Sequence, residues 1–160
     1  MLMRLIKFTA IVFGAIVGLF VVLVAFNYYF PPTYEAVTRL PGTSSEIVVQ
    51  LEPMHPYLAE YRRSLVLRKV GASDQRAVMF PDTGGYSRTQ LYRLADGRFL
   101  VRGYFDAVII DPEKHTLVVA PTGMRGQGTY IGAFDDTTDR RWQFIEAVRS
   151  PELPLEARGG

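Results

Sequence analysis

Cysteine is absent from the 160 residues, which excludes disulfide crosslinks, thiolate nucleophiles and cysteine-bound zinc outright. Histidine is nearly absent: His55 and His115 lie far apart in turn-like contexts, where a solvated imidazole is the ordinary state and a metal ligand the exception. No block of like charge occurs either. The formal excess of +2 is carried by Arg4 and Lys7, so the rest of the chain balances 16 basic against 16 acidic side chains. A neutral domain offers no electrostatic footprint to nucleic acid, which is therefore not an expected partner. Walker-type glycine loops, G-x-S-x-G and H-E-x-x-H are missing, and with them the usual signatures of phosphate binding, serine hydrolysis and zinc hydrolysis. No cofactor and no metal site are expected. Lysine is scarce, three against fifteen arginines, a bias typical of GC-rich bacterial genomes, and in a bacterium the outer side of the cytoplasmic membrane is periplasm.

What the sequence has in abundance is one apolar run. Phe8 to Phe26 holds nineteen residues with no charge and a single hydroxyl, Thr9. As a helix it reaches about 28 Å, close to the thickness of a hydrocarbon core. Arg4 and Lys7 precede it, and the next basic residue is Arg39. The positive-inside bias therefore places the N-terminus in the cytoplasm and the remainder in the periplasm or outside the cell. Phe26, Tyr28, Tyr29 and Phe30 suit the far interface, and Pro31-Pro32 stops the helix. A cleaved signal peptide is the competing reading, but the run exceeds a usual h-region and no small-x-small site lies between Val22 and Pro32. Ala10, Gly14 and Gly18 recur every fourth residue on one helix face, and Gly14 with Gly18 forms the GxxxG spacing that lets two backbones approach in lipid. The expected partners are thus the bilayer and, through this face, a second copy or another membrane protein.

Residues 1–32 read as the anchor, 33–45 as a linker containing Pro41-Gly42, 46–150 as a β domain and 151–160 as a flexible tail. Beyond the anchor no segment has helical periodicity for more than one or two turns. Ile47, Val49 and Leu51 alternate with polar neighbours, and Ser64 to Val70 is rich in strand formers. Arg88–Ala95 and Arg98–Ile110 flank Asp96-Gly97, the dipeptide favoured by type I′ hairpins. In the second arm Phe99, Val101, Phe105, Ala107 and Ile109 share the expected core face. Trp142 and Phe144 point inward from the last strand. Seven or eight short strands predict a mainly β fold: one transmembrane helix, then a small antiparallel barrel or sandwich.

Chemistry is thinly marked. Asp82-Thr83-Gly84 resembles the D-T-G of retropepsin-like aspartic proteases, with Tyr130-Ile131-Gly132 in the place of that family's later apolar-apolar-Gly element. The resemblance implies one catalytic Asp82 from each of two subunits, sharing a proton to activate water. Pro81 and Gly85 depart from the family pattern, and Pro-Asp-Thr-Gly-Gly is equally the composition of a plain turn. Gly123, Gly126 and Gly128 sit between strands, without the helix N-terminus that would hold a phosphate. Asp135, Asp136 and Asp139 lack calcium-loop spacing. Asp106, Asp111 and Glu113 at strand ends read as solvated or arginine-paired carboxylates. Arg62, Arg63, Arg68, Arg88, Arg93, Arg98 and Arg102, interleaved with Tyr61, Tyr86, Tyr92 and Tyr104, read as an exposed docking face, with Arg62, Arg88, Tyr92, Arg102 and Tyr104 its leading interface residues. The expected function is that of an accessory or scaffold component of an inner-membrane or envelope complex. The alternatives are a small barrel holding an apolar ligand among Phe99, Phe105, Trp142 and Phe144, or the anchored protease.

Overall fold

In a computed structural model of the protein, the described residues are 2–30, 32–55, 58–84, 88–121, 124, 128–136 and 141–155, without the side chains of 2–6 and 10. They form two compact units, Met1–Pro32 and Thr33–Gly160. The first is a single helix, α1 (Leu2–Tyr29). Its span Lys7–Tyr29, 23 residues, is long and apolar enough to cross a membrane, and none of it is buried by protein. Leucine and phenylalanine exposed all round a helix near the N-terminus suit a membrane anchor or a signal sequence.

Among the described residues the second unit has ten strands: β1 (Tyr34–Arg39), β2 (Ser45–Pro53), β3 (Tyr61–Lys69), β4 (Gln75–Asp82), β5 (Thr89–Arg93), β6 (Phe99–Arg102), β7 (Ala107–Asp111), β8 (Thr116–Val119), β9 (Thr129–Asp136) and β10 (Trp142–Glu146). They make two antiparallel sheets, ordered β1-β2-β3-β4 and β10-β9-β5-β6-β7-β8. The mainly β architecture read from strand periodicity is therefore present. The sheets adjoin at both sides, β1 against β10 and β4 against β8, without closing into one continuous ladder. Ile47, Val49, Leu51, Leu65, Leu67 and Met79 of the first sheet meet Leu91, Phe99, Val101, Val108, Ile110 and Phe134 of the second. Trp142 from β10 enters the same core and donates its indole N–H to the Val49 carbonyl at 3.0 Å.

Two local expectations change. Thr33–Ser45, read as linker, contains β1, which pairs residue for residue with β2 from Tyr34↔Leu51 to Arg39↔Glu46. Its strand signal was masked by the Pro41-Gly42 turn, yet Ala36 and Leu40 are core residues. The arm Arg98–Ile110 is two strands, because Gly103–Asp106 folds the chain back so that Phe99 faces Ile110 and Val101 faces Val108. The core face changes parity at that fold. Val108 and Ile110 join the intersheet core, whereas Ala107 and Ile109 pack with Tyr92, Leu94 and Leu100 on the outer face of the second sheet. Phe105 is left half-exposed against Phe80, ring centroids 4.8 Å apart. The Asp96-Gly97 hairpin forms, but only Gly97 has positive φ (86°), and its N–H reaches the Leu94 carbonyl. That is a three-residue type I loop with a glycine bulge, not a type I′ turn.

The largest fully buried side chain is Arg63, which the charge pattern had placed on an exposed face. Strand alternation explains the correction: Arg63 lies in phase with Leu65 and Leu67, and across the ladder with Leu51 and Met79, all inward. Between Tyr61 and Arg63 the pairing with β4 slips by one residue, where Pro81 has no N–H to give. The freed backbone of Phe80 is used twice. Its carbonyl accepts from Arg63 Nε at 2.7 Å, and its N–H donates to Asp106. Arg63 also donates to Thr89 Oγ1 at 3.1 Å and pairs with Asp106 Oδ1 at 3.3 Å, so one guanidinium ties β3 and β4 to the second sheet. Gly103 makes room: a Cβ there would lie 2.8 Å from Arg63 Nη2 and collide with the Asp106 carboxylate.

Removing a partner from such a group leaves a buried charge uncompensated. Arg63→Ala should cost about 3–5 kcal/mol, and Gly103→Ala about 1–3 kcal/mol through overpacking. Urea unfolding of the detergent-solubilised chain, followed by the emission of Trp142, measures both. A Gly103→Ala chain as stable as wild type would show that the guanidinium has slack.

Candidate functional site

The structure disperses the residues that the sequence marks. Gly14 and Gly18 lie in α1, and beyond the helix's own nearby backbone nothing comes within 4 Å of where a Cβ would sit. The side chain of Ala10 lies outside the described residues, as do Tyr86, Gly123, Gly126 and Asp139. Arg62 is exposed and pairs with Glu52 at 3.2 Å. Arg102 and Tyr104 are half-buried. Arg88 and Tyr92, also read as surface, are buried at 9% and 3% exposure. They are covered because the chain after β10 crosses the outer face of β5.

That crossing forms the densest polar junction among the described residues. Arg88 pairs with Asp135 and donates to Tyr130 Oη (3.2 Å), Ser150 Oγ (3.1 Å) and the Pro151 carbonyl (2.8 Å). Gln90, fully buried, donates to Tyr92 Oη and the Leu153 carbonyl and accepts from the Leu153 N–H, each at 2.9 Å. Tyr92 donates to Glu152 at 2.9 Å. Burial and then Glu152 push the Tyr92 hydroxyl well above its ordinary pKa, so it stays a donor at any physiological pH. The first five residues of the stretch read as a flexible tail are thus held in place, and Leu155 is 1% exposed; residues 156–160 lie outside the described residues.

Asp82 closes β4 at 1% exposure, and its Oδ1 accepts the Gly84 N–H at 2.9 Å. This is the Asx turn that the Pro-Asp-Thr-Gly composition also predicts, with Gly84 at φ 125°. Gly132 has a packing role in β9: a Cβ there would meet the Phe144 ring at 2.7 Å. Burial first, then the carboxyls of Asp135 and Asp82, raise the pKa of Asp136. Tyr61, opposite Asp82 in the ladder, is raised by burial and then by Tyr34, Asp136 and Asp82. Asp106 serves Arg63, while Asp111 accepts the N–H groups of Glu113 and Lys114 in the β7–β8 turn, so the strand-end carboxylates do separate work. His115 hydrogen-bonds the Ser73 carbonyl at 2.8 Å and braces two turns. No group of three or more potential metal ligands occurs among the described residues.

Phe99 and Trp142 are core residues, Phe144 packs against them, and Phe105 lies with Phe80 instead. A cleft of about 530 Å³ lies among the turns at one end of the sheets. Its lining is charged rather than apolar, with Lys69, Arg93 and Arg98 facing Asp96, Asp111 and Glu113. Arg98 and Asp96 neutralise one another at 2.6 Å.

Apolar surface gathers elsewhere. The edge strands β4 and β8 lie against each other without a shared ladder. They expose Val78 (73%), Phe80 (47%), Val118 (57%) and Val119 (73%). Sequence reasoning passed over these residues because valine alternation reads as core on a central strand and as surface only on an edge. Arg63 was legible from its phase with Leu65 and Leu67. No protein-family model, curated protein or solved structure matches the chain.

A raised carboxyl pKa means that the fold prefers the protonated form. The contribution of Asp136 is therefore fully favourable below the ordinary aspartate pKa and is lost as pH rises through the raised value. Asp136→Asn should raise the melting temperature at pH 7 by on the order of 1–2 °C, with the gain vanishing at pH 3. Thermal scans at the two pH values test this, and an equal gain at both would rule out a titration effect.

Proposed function

We propose that the chain is a single-pass anchor whose β domain works by contact, as an accessory or scaffold subunit of an inner-membrane or envelope assembly. The observation that carries this reading is the exposed apolar side chains on two adjoining edge strands, Val78 and Phe80 on β4 and Val118 and Val119 on β8. Edge strands in a free-standing domain are normally blunted by charge, proline or a cover. Here β4 is blunted only in part, by Arg76 and by Pro81 with its bulge, and β8 carries no charged residue at all. Exposed apolar side chains on edge strands fit a partner that packs a face there. The basic flank of Arg4 and Lys7 supports a cytoplasmic N-terminus, which puts these side chains on the periplasmic side.

Crosslinking in intact membranes followed by affinity purification tests the contact. Val78→Lys with Val119→Lys should reduce partner recovery at least tenfold while leaving the strand signature in circular dichroism unchanged; undiminished recovery removes these side chains from the function. Gly14→Leu with Gly18→Leu should weaken association of the anchor in a membrane two-hybrid assay by several-fold, since leucine keeps two backbones from close approach. Unchanged association would assign those glycines to lipid.

A further inference from the structure

We infer that the outer face of β5 is a peptide-binding groove, occupied in this structure by the protein's own segment Ser150–Leu155, and that it accepts the same Ser-Pro-Glu-Leu-Pro-Leu sequence from a second copy. The segment is bound as a ligand is bound. Its residues 151–155 form no strand or helix, and their backbone contacts are made by side chains of the sheet rather than by a ladder. Gln90 grips the two faces of one residue, taking the N–H of Leu153 and giving to its carbonyl, both at 2.9 Å. A carboxamide does this with one acceptor and one donor in a single plane. Arg88 reads the Pro151 carbonyl and the Ser150 hydroxyl, and Tyr92 reads the Glu152 carboxylate. Main-chain bonds supply hold, and the Ser150, Glu152 and Leu155 side chains supply selection.

The ligand chemistry follows from the same contacts. Leu155 is buried at 1% exposure, while Pro151, Glu152, Leu153 and Pro154 lie outward. Two prolines narrow the free segment toward extended conformations, which lowers the cost of ordering it on the groove. The groove is prepared in turn: Gln90 is oriented by the Tyr92 hydroxyl, and Tyr130 packs on Tyr92 with ring centroids 5.6 Å apart. Only Ala147, Val148 and Arg149 separate β10 from Ser150. So short a hinge favours exchange of the segment between two copies when they are held side by side.

The test uses the chain ended at Arg149, in detergent, with a fluorescein-labelled Ser150–Leu155 peptide as probe and anisotropy as readout. The truncated chain should bind the peptide saturably, the intact chain at least tenfold more weakly because its groove is filled, and truncated Gln90→Ala at least tenfold more weakly because the grip on Leu153 is gone. A full-length Leu155→Asp chain, its own segment evicted and its groove intact, should bind like the truncated one. If neither the truncated chain nor Leu155→Asp binds the peptide, the groove does not recognise the segment in trans. If both lose their strand signature, the segment is an inseparable part of the core. Either result overturns the inference.

Discussion

A single guanidinium inside the interface between two sheets is the constraint on which the β domain depends. Arg63 brings a permanent charge into a core of leucine, valine and phenylalanine, and burial works to lower its pKa against the pull of Asp106 and Asp82. The fold answers with three acceptors from three places: the Phe80 carbonyl, Thr89 Oγ1 and the Asp106 carboxylate. Each acceptor has its own cause. The Phe80 carbonyl is free because Pro81 interrupts the ladder, Asp106 arrives because Gly103 lets the β6–β7 loop close tightly, and Thr89 opens the strand that begins the second sheet. An apolar residue would fill the same volume, yet it would not specify which loop meets which strand.

The outer faces of the two sheets are finished differently, and this separates their roles. On the first sheet Glu35, Gln50, Ser64 and Arg76 form a hydrogen-bonded row across four strands, a satisfied polar surface. On the second sheet the outer face carries its own apolar cluster, Tyr92, Leu94, Leu100, Ala107 and Ile109, beside the Gln90 junction with the C-terminal segment. Where the sheets adjoin, β4 and β8 expose Val78, Phe80, Val118 and Val119. A domain whose two outer faces are finished so differently, with apolar side chains exposed on β4 and β8, fits the contact-making role proposed above.

Much of this was legible residue by residue. The β domain followed from period-two alternation around Ile47, Val49 and Leu51 and from the Asp96-Gly97 turn, and the intersheet position of Trp142 from its phase. Three features were hidden. The strand Tyr34–Arg39 sits between Pro31-Pro32 and Pro41-Gly42, so its alternation is too short to outweigh the breakers around it. Arg88 and Tyr92 read as surface because nothing local announces that Ser150–Leu155 will lie over them. Val78 and Val119 went unmarked because alternation reports which side of a strand is apolar, not whether another layer covers it.

The apolar helix, the β class of the remainder and the absence of thiol chemistry were determined by the sequence alone, because length, period and composition are local properties that no neighbour can alter. Which strands became edges, which arginine was buried, and which segment came to lie on β5 were decided only by the tertiary structure. Those outcomes depend on pairings across many residues of chain, as between Arg63 and Asp106 or Gln90 and Leu153, where the partner of a buried polar group is set by the closing of two sheets rather than by anything adjacent to it.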